Sequence, residues 1–263
     1  MTKTFIITGA SRGLGKALKD FIIANSEHSV ISISRNTESS DISNDRIDFI
    51  SFDLSDIKSI RRVENFFDSK SSREFVFINN AAVLEPLKRI GEMSKSEISY
   101  HLQVNITSSI TLINFLINRF PTRLSTIINI SSGASLNPIS HWSLYCASKA
   151  ALNMFCKVLA KEYPLINVRN IDPGVLDTDM QKVIRNSEIL DVDNFRLLES
   201  NEDLINGDVL LMNMAKYTGC HVGVYVGEQM VLHHQVGRLS SRDLLDEQMY
   251  KSIYKRYRHV EKN

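Results

Sequence analysis

Cysteine is scarce in this sequence. Cys146, Cys156 and Cys220 are odd in number and form no C-x-x-C pair, which argues against a disulfide framework and a structural zinc site and fits a reducing cytoplasm. An excess of charge of one sign is also lacking: 31 basic and 30 acidic side chains leave a formal charge of +1. No global field therefore favours nucleic acid, an anionic membrane or a highly charged partner. No apolar run reaches the length that spans a bilayer, and Lys3–Thr8 lacks the charged-then-apolar layout of a signal peptide. Internal repeats and low-complexity stretches are absent, and the polar run from Thr37 to Asn44 reads as a solvated loop. A soluble cytoplasmic protein without a bound metal is expected.

What the sequence does contain is a regular alternation. Of its 263 residues, 43% are hydrophobic, enough to bury a substantial core in one open α/β sheet. Short apolar runs at Phe5–Thr8, Ser29–Ser34, Ile47–Phe52, Phe75–Asn79, Thr126–Ile130 and Val168–Ile171 read as strands. Between them, Leu14–Asn25, Ile57–Phe67, Lys95–Asn118 and Leu144–Glu162 carry apolar residues three and four apart and are long enough to cross back over a sheet. This βαβ rhythm predicts a Rossmann-type doubly wound parallel sheet with helices on both faces, which is why its strands are apolar throughout.

The first strand runs straight into Thr8-Gly9-Ala10-Ser11-Arg12-Gly13-Leu14-Gly15 and then a helix. Glycines there permit a tight turn and a close backbone approach to a pyrophosphate, whose charge the helix N-terminus favours. An ordinary strand-to-helix turn is the bland alternative. The second strand ends in Ser34-Arg35-Asn36. An arginine in place of an acid there disfavours NAD and suits the extra phosphate of NADP, with Arg12 as a second cation, unless both are plain surface residues.

The fifth strand leads into Ser131-Ser132-Gly133, and Tyr145 and Lys149 follow, four apart on one helix face. An ammonium beside the phenol is expected to lower its pKa toward the neutral range, where tyrosine is otherwise a poor acid–base group. A Y-x-x-x-K pair also occurs by chance in helices as two ordinary exposed residues.

Taken together these motifs resemble the short-chain dehydrogenases, through the T-G-x-x-x-G-x-G turn and a serine thirteen residues before the tyrosine, over residues 3 to about 200. The resemblance implies a cofactor, NADPH, held by Gly9, Ser11, Arg12, Gly13, Leu14, Gly15 and Arg35. By the same resemblance Asp53 and Leu54 meet the adenine, Asn79 and Ala81 line the adenosine side, and Pro173, Gly174, Val175 and Thr178 sit by the nicotinamide. Ala82 stands where the family has a glycine. Ser132, Tyr145, Lys149 and Asn105 form the implied catalytic set: Tyr145 protonates a carbonyl, Ser132 hydrogen-bonds it, Lys149 holds the ribose and Asn105 supports a water-linked proton path. The stretches Trp142–Lys149 and Gly174–Gln181 are similar to sepiapterin reductases and benzil reductases, which implies a vicinal diketone or related small-molecule carbonyl substrate. Trp142 and Met180 are candidate walls of its pocket, or plain packing. The family also implies a homodimer through the two long helices.

Beyond about Glu199 the resemblance stops, and the chain divides into an expected reductase domain, 1–200, and an atypical segment, 201–263. Gly207–Leu211, His221–Gly227 and Leu232–Arg242 resemble the C-terminal part of NlpC/P60 cysteine peptidases of the phage tail-assembly type. His221 and His233 match that family's histidine and orienting residue, but neither Cys156 nor Cys220 stands where its nucleophile would, so peptidase activity is not expected. Val222–Val226 is expected to join the reductase sheet as its last strand, and Lys251–Arg258 to be a solvated helix end. The alternative to an active reductase is a protein that binds NADPH and, its tail being substituted, turns nothing over.

Overall fold

The computed structural model describes residues 2–36, 44–56, 60–68, 74–174, 176, 178–180, 183, 195–199, 202–206, 208–214, 217–233 and 241–259. The chain forms two compact units, Met1–Lys182 and Val183–Asn263.

The first unit carries a six-stranded sheet of β1 (Lys3–Thr8), β2 (Ser29–Ser34), β3 (Ile47–Ser51), β4 (Glu74–Asn79), β5 (Leu124–Ile130) and β6 (Asn167–Ile171). Its order is β3-β2-β1-β4-β5-β6, parallel at every pairing. Strand order reverses between β1 and β4, the position where open α/β sheets leave a crevice beyond their C-terminal ends. Helices α1 (Gly13–Asn25), α2 (Ile60–Asp68), α3 (Lys95–Leu102), α4 (Ser108–Arg119) and α5 (Ser143–Glu162) make the crossovers. One apolar cluster joins Ile6, Ile31, Phe52, Phe67, Phe77, Leu112 and Ile127. A second, with Ile7, Val30, Val76 and Ile130, takes Leu14, Leu18 and Ile22 of α1.

Each expected strand and helix of this unit is present, with ends moved by a few residues. One long expected helix is interrupted. Lys95–Asn118 forms α3, then a π-helical turn at Gln103–Thr107, then α4. α3 begins with a capping box, in which Ser94 accepts from the Glu97 amide and the Glu97 carboxylate accepts from the Ser94 amide.

The second unit has its own sheet, against expectation. β7 (Phe195–Leu197), β8 (Val209–Met214), β9 (Tyr217–Tyr225), β10 (Met230–His233), β11 (Ser241–Leu244) and β12 (Ile253–His259) are arranged β11-β10-β9-β8-β12-β7. Val222–Val226 therefore does not extend the reductase sheet: β9 pairs antiparallel with β8 and β10. Lys251–Arg258 is not a helix end either, since α6 (Glu247–Ser252) stops at Ser252 and β12 runs between β8 and β7. Phe195–Leu197, placed above before the boundary near residue 200, supplies β7 to this sheet.

The chemistry behind β12 is an ion pair between a buried acid and a half-buried arginine. Asp208 is fully buried, and Arg258 donates to both its carboxylate oxygens at 2.9 Å. Those bonds satisfy the acid and let a basic segment occupy the sheet interior. A small core of Leu210, Met212 and Val231, with Tyr225, Met249 and Ile253 against it, closes the unit. No helix among the described residues is long and apolar enough to cross a membrane.

Candidate active site

The glycine turn sits at the end of β1, tied to β2 and β4. The Gly9 amide donates to the Ile33 carbonyl at 2.8 Å. Thr8 Oγ1 accepts from the amides of Asn80 and Ala81, and Asn80 Nδ2 donates back to the Thr8 carbonyl at 2.9 Å. Gly9 and Gly13 have φ of +69° and +55°, a region that side chains resist. A Cβ on Gly15 would stand 2.3 Å from the Gly9 carbonyl oxygen, so α1 approaches the turn as closely as only glycine permits. The result is a helix N-terminus at the sheet's C-terminal edge, ready to receive a phosphate.

Around this cradle, Arg12 and Arg35 are exposed. Arg12 lies 4.0 Å from Asp179, an exposed pair worth little in itself. The Asp53 carboxyl is held below its usual range, mainly by the Ser55 amide, with the Ser55 hydroxyl and the Arg35 charge adding to this against burial. Leu54 packs on the main core. Ala81 abuts Gly9, and Thr178 faces Gly13. Ser11 lies part-buried in the turn. Asn79 departs from expectation: its side chain is buried in the sheet, donating to Asn129 at 3.0 Å, so it does not line the cradle. Pro173 and Gly174 follow β6, with the Gly174 amide donating to Asp172 at 3.0 Å. Val175 lies outside the described residues.

The proton site lies at the end of β5. Ser132 caps a single 3-10 turn, Gly133–Ser135, and its Oγ accepts from the Ala134 amide at 3.2 Å. Tyr145 stands in the first turn of α5, 6% exposed, with the Ser132 side chain close enough to act on its phenol. One turn later Lys149, 5% exposed, donates from Nζ to the Ile130 carbonyl at 2.7 Å. Its nitrogen lies 5.5 Å from the centre of the Tyr145 ring. The structure thus brings Ser132, Tyr145 and Lys149 together.

The electrostatics differ from the expected ammonium effect. Burial pushes the phenol up from its ordinary value, the Ser132 side chain pulls it down, and the charges of Asp172 and Cys146 push it up again. Lys149 Nζ stands over the ring, 5.5 Å from its centre, and burial lowers its own pKa to about 8. In the chain by itself the phenol stays a proton donor at neutral pH.

Asn105 occupies the π-helical turn, where a widened turn re-aims a side chain. Its Nδ2 donates to the Val83 carbonyl and its Oδ1 accepts from the Val83 amide, both at 2.8 Å. Nδ2 also donates to His101 Nε2 at 2.9 Å and lies 3.3 Å from Ser148 Oγ. That leaves His101 Nδ1 to donate to the Glu85 carbonyl at 2.8 Å. His101 is fully buried, and burial lowers its pKa, which keeps the ring neutral and able to accept.

His101 escaped the sequence reading, although its spacing of four from Asn105 is that of one helix face. Thr8 and Asn80 were also passed over as ties for the glycine turn. Trp142 is half-buried, its ring edge-on to Tyr145 with centroids 5.9 Å apart, and Met180 is half-buried. In the second unit, His221 lies on β9 and His233 on β10. Among the described residues no group of three or more His, Cys, Asp or Glu could hold a metal ion.

Comparison with known proteins accounts for both units. The family model described as short chain dehydrogenase matches residues 3–189, and that of the NlpC/P60 family matches residues 180–259. The chain is 35% identical over 220 residues to a benzil reductase ((S)-benzoin forming) of Bacillus subtilis, covering 78% of this chain and 89% of that one. It is 30% identical over 250 residues to the sepiapterin reductase of Bos taurus, covering 84% and 93%. Among solved structures, the KRED1-Pglu enzyme superposes with a TM-score of 0.66 at 34% identity, covering 71% of this chain and 80% of that one. A 4-hydroxyisoleucine dehydrogenase complexed with NADH superposes with a TM-score of 0.64 at 25% identity, covering 71% and 79%.

Proposed function

The chain belongs to the short-chain dehydrogenase family of oxidoreductases, and from that premise we propose that it is an NADPH-dependent carbonyl reductase whose substrate is a ketone beside a second carbonyl. The observation that carries this reading is the buried Tyr145 phenol, with Ser132 beside it and Lys149 5.5 Å from its ring centre. The relatives named benzil reductase and sepiapterin reductase support the substrate class.

The residues present fit a dinucleotide. Gly9 and Gly13 adopt positive φ and Gly15 has no room for a Cβ, so backbone amides can approach a pyrophosphate. Arg12 and Arg35, with no acid at the end of β2, support the 2′-phosphate of NADP over NAD. When bound, the cofactor supplies the hydride that reduces the carbonyl carbon. The protein's part is to hold the carbonyl oxygen and give it a proton. Ser132 and Tyr145 bind that oxygen from one side, and Tyr145 transfers its phenolic proton to it as negative charge develops there. Lys149, buried with a pKa near 8, keeps a cation beside the phenolate so formed. Trp142, edge-on to Tyr145, offers an apolar wall to a diketone, with Met180 as a second.

Exposed Met154 and Val158 on the outer face of α5 support a homodimer built on that helix. Cys156, buried with its thiol pushed up to about 11, is inert and suits a reducing cytoplasm.

The test is NADPH oxidation and NADPH binding, measured for wild type and Tyr145→Phe across a panel of dicarbonyls and, in reverse, simple secondary alcohols. The proposal expects turnover of diketones faster than of simple alcohols, and its loss in Tyr145→Phe. Faster oxidation of simple alcohols overturns the substrate class, and binding without turnover replaces the enzyme with a binding protein.

A further inference from the structure

The apolar first sheet is crossed by one polar line. Asn79, Asn129 and Asn170 stand opposite one another on β4, β5 and β6. Ser109 of α4 donates to Asn79 Oδ1 at 3.0 Å, Asn79 Nδ2 donates to Asn129 Oδ1 at 3.0 Å, and Asn129 Nδ2 donates to Asn170 Oδ1 at 2.8 Å. Asn79 and Asn129 are 4% and 0% exposed. Burying amides is costly unless they are paired, and here each hands its hydrogen bond to the next. A valine at Asn79 or Asn129 would serve the core as well, so the line points to something other than packing.

It continues out of the sheet to the proton site. Asn170 Nδ2 donates to the Asn153 carbonyl at 3.3 Å, and the second hydrogen of Asn129 Nδ2 is directed at Asn153 Oδ1, 3.5 Å away. Asn153 Nδ2 then donates to Ser135 Oγ at 2.8 Å. Ser135 ends the 3-10 turn that Ser132 caps, and Ser131 Oγ donates to the same hydroxyl at 3.4 Å. Asn153 itself lies on α5, four residues beyond Lys149 and eight beyond Tyr145, on their face of the helix.

We propose that Asn153 is a positioning residue of the reductase, clamping the Ser132 turn to the Tyr145 helix and so setting where the Ser132 hydroxyl stands beside Tyr145. The inference rests on the reading of those two residues as the acid–base site. A single 3-10 turn is a weak element. Without a tie to α5 it has freedom to drift from the phenol, and a displacement of about 1 Å at a reacting centre can cost about a hundredfold in rate. The asparagine line behind Asn153 anchors the clamp in the rigid sheet.

The experiment compares wild type, Asn153→Ala, Ser135→Ala and the double variant on whichever dicarbonyl the wild type reduces, and in alcohol oxidation as a function of pH. Each single variant is expected to lower kcat about tenfold or more, with KM for NADPH unchanged, since neither residue lies in the glycine cradle. The double variant is expected to match the worse single one, because both remove the same bond. Moving the Ser132 hydroxyl away from the phenol removes an influence that lowers its pKa, so the acid limb of the oxidation profile moves to higher pH, a change that loss of packing alone does not produce. Ser135→Ala removes the bond from the turn side and decides the matter should Asn153→Ala fail to fold. Wild-type kcat and pH profile in Ser135→Ala, or losses that add in the double variant, overturn the clamp. A wild type that turns over no carbonyl defeats the proposed function first, and the clamp with it.

Discussion

Burial and the Ser132 hydroxyl act on the Tyr145 phenol in opposite senses. Burial, the larger effect, raises its pKa, and the serine side chain, whose Oγ accepts from the Ala134 amide at 3.2 Å, lowers it. The two effects make Tyr145 an acid that is held back until a carbonyl oxygen takes up its proton.

Removing the phenolic hydroxyl should therefore remove chemistry and leave binding. Tyr145→Phe is expected to lower kcat by about 10²–10⁴, the range for a general acid, with NADPH affinity retained. Single-turnover kinetics beside fluorescence titration of NADPH checks both halves.

Lys149 links the site to stability. Burial depresses its pKa to about 8 in the folded protein, against an ordinary value near 10.5. Between those two values the unfolded chain holds a proton that the native state has lost, so the contribution of Lys149 to stability rises with pH across that window. Below about pH 8 both states are protonated and the buried charge is a cost on the order of 3 kcal/mol. Lys149→Met should accordingly be the more stable protein near pH 7, with its advantage shrinking by pH 10.5, and inactive throughout. Urea denaturation at several pH values reads this directly; an advantage that grows with pH contradicts it.

His101 gives the opposite end of the pH scale. Its folded pKa lies below the ordinary 6.5 because the ring is buried, so native stability is complete above about pH 6.5 and falls as the medium becomes more acidic. Protonation would set two donors, His101 Nε2 and Asn105 Nδ2, against each other. His101→Gln keeps an acceptor for Asn105 and has no proton to gain. Its thermal midpoint should vary less than that of wild type between pH 7 and pH 5.

Gly15 tests the cradle. A Cβ there meets the Gly9 carbonyl oxygen at 2.3 Å, a contact with backbone rather than with a movable side chain. Gly15→Ala is expected to cost about 1–3 kcal/mol by overpacking and to weaken NADPH binding at least tenfold. Calorimetry for stability and titration for binding check it; wild-type affinity in a folded Gly15→Ala refutes the assigned cradle.

Arg35 tests cofactor choice. Arg35→Asp is expected to weaken NADPH binding and to leave NADH binding equal or improved, because an acid suits a ribose 2′-hydroxyl and repels a 2′-phosphate. Equal losses for both dinucleotides argue against Arg35 as the discriminating residue.

Much of this was legible in the residues. Strands such as Phe5–Thr8 and helices such as Leu144–Glu162 follow from apolar spacing, because a sheet covered on both faces and a helix packed on one impose different periods. Tyr145 and Lys149 were legible as neighbours because four residues make one helix turn, and Ser132 joined them through the resemblance to the short-chain dehydrogenases. The π-helical turn at Gln103–Thr107 was not, since one extra residue in a turn leaves the apolar spacing almost unchanged. Nor was the fate of Asn79, which reads as a polar strand end beside the cofactor but turns into the sheet because Asn129 is there to receive it.

The sequence by itself determined the βαβ order, the glycine turn and the placing of Tyr145 and Lys149 on one helix face, since these depend on neighbours within a few turns of chain. Only the tertiary structure decided the electrostatic state of Tyr145, the amide line from Ser109 to Ser135, and the separate sheet of the second unit. Each of these depends on what is buried beside what across dozens of residues. Arg258 shows the reason most plainly: in the chain it belongs to a basic, solvent-seeking run, and in the fold Asp208 satisfies its charge and makes it part of a strand.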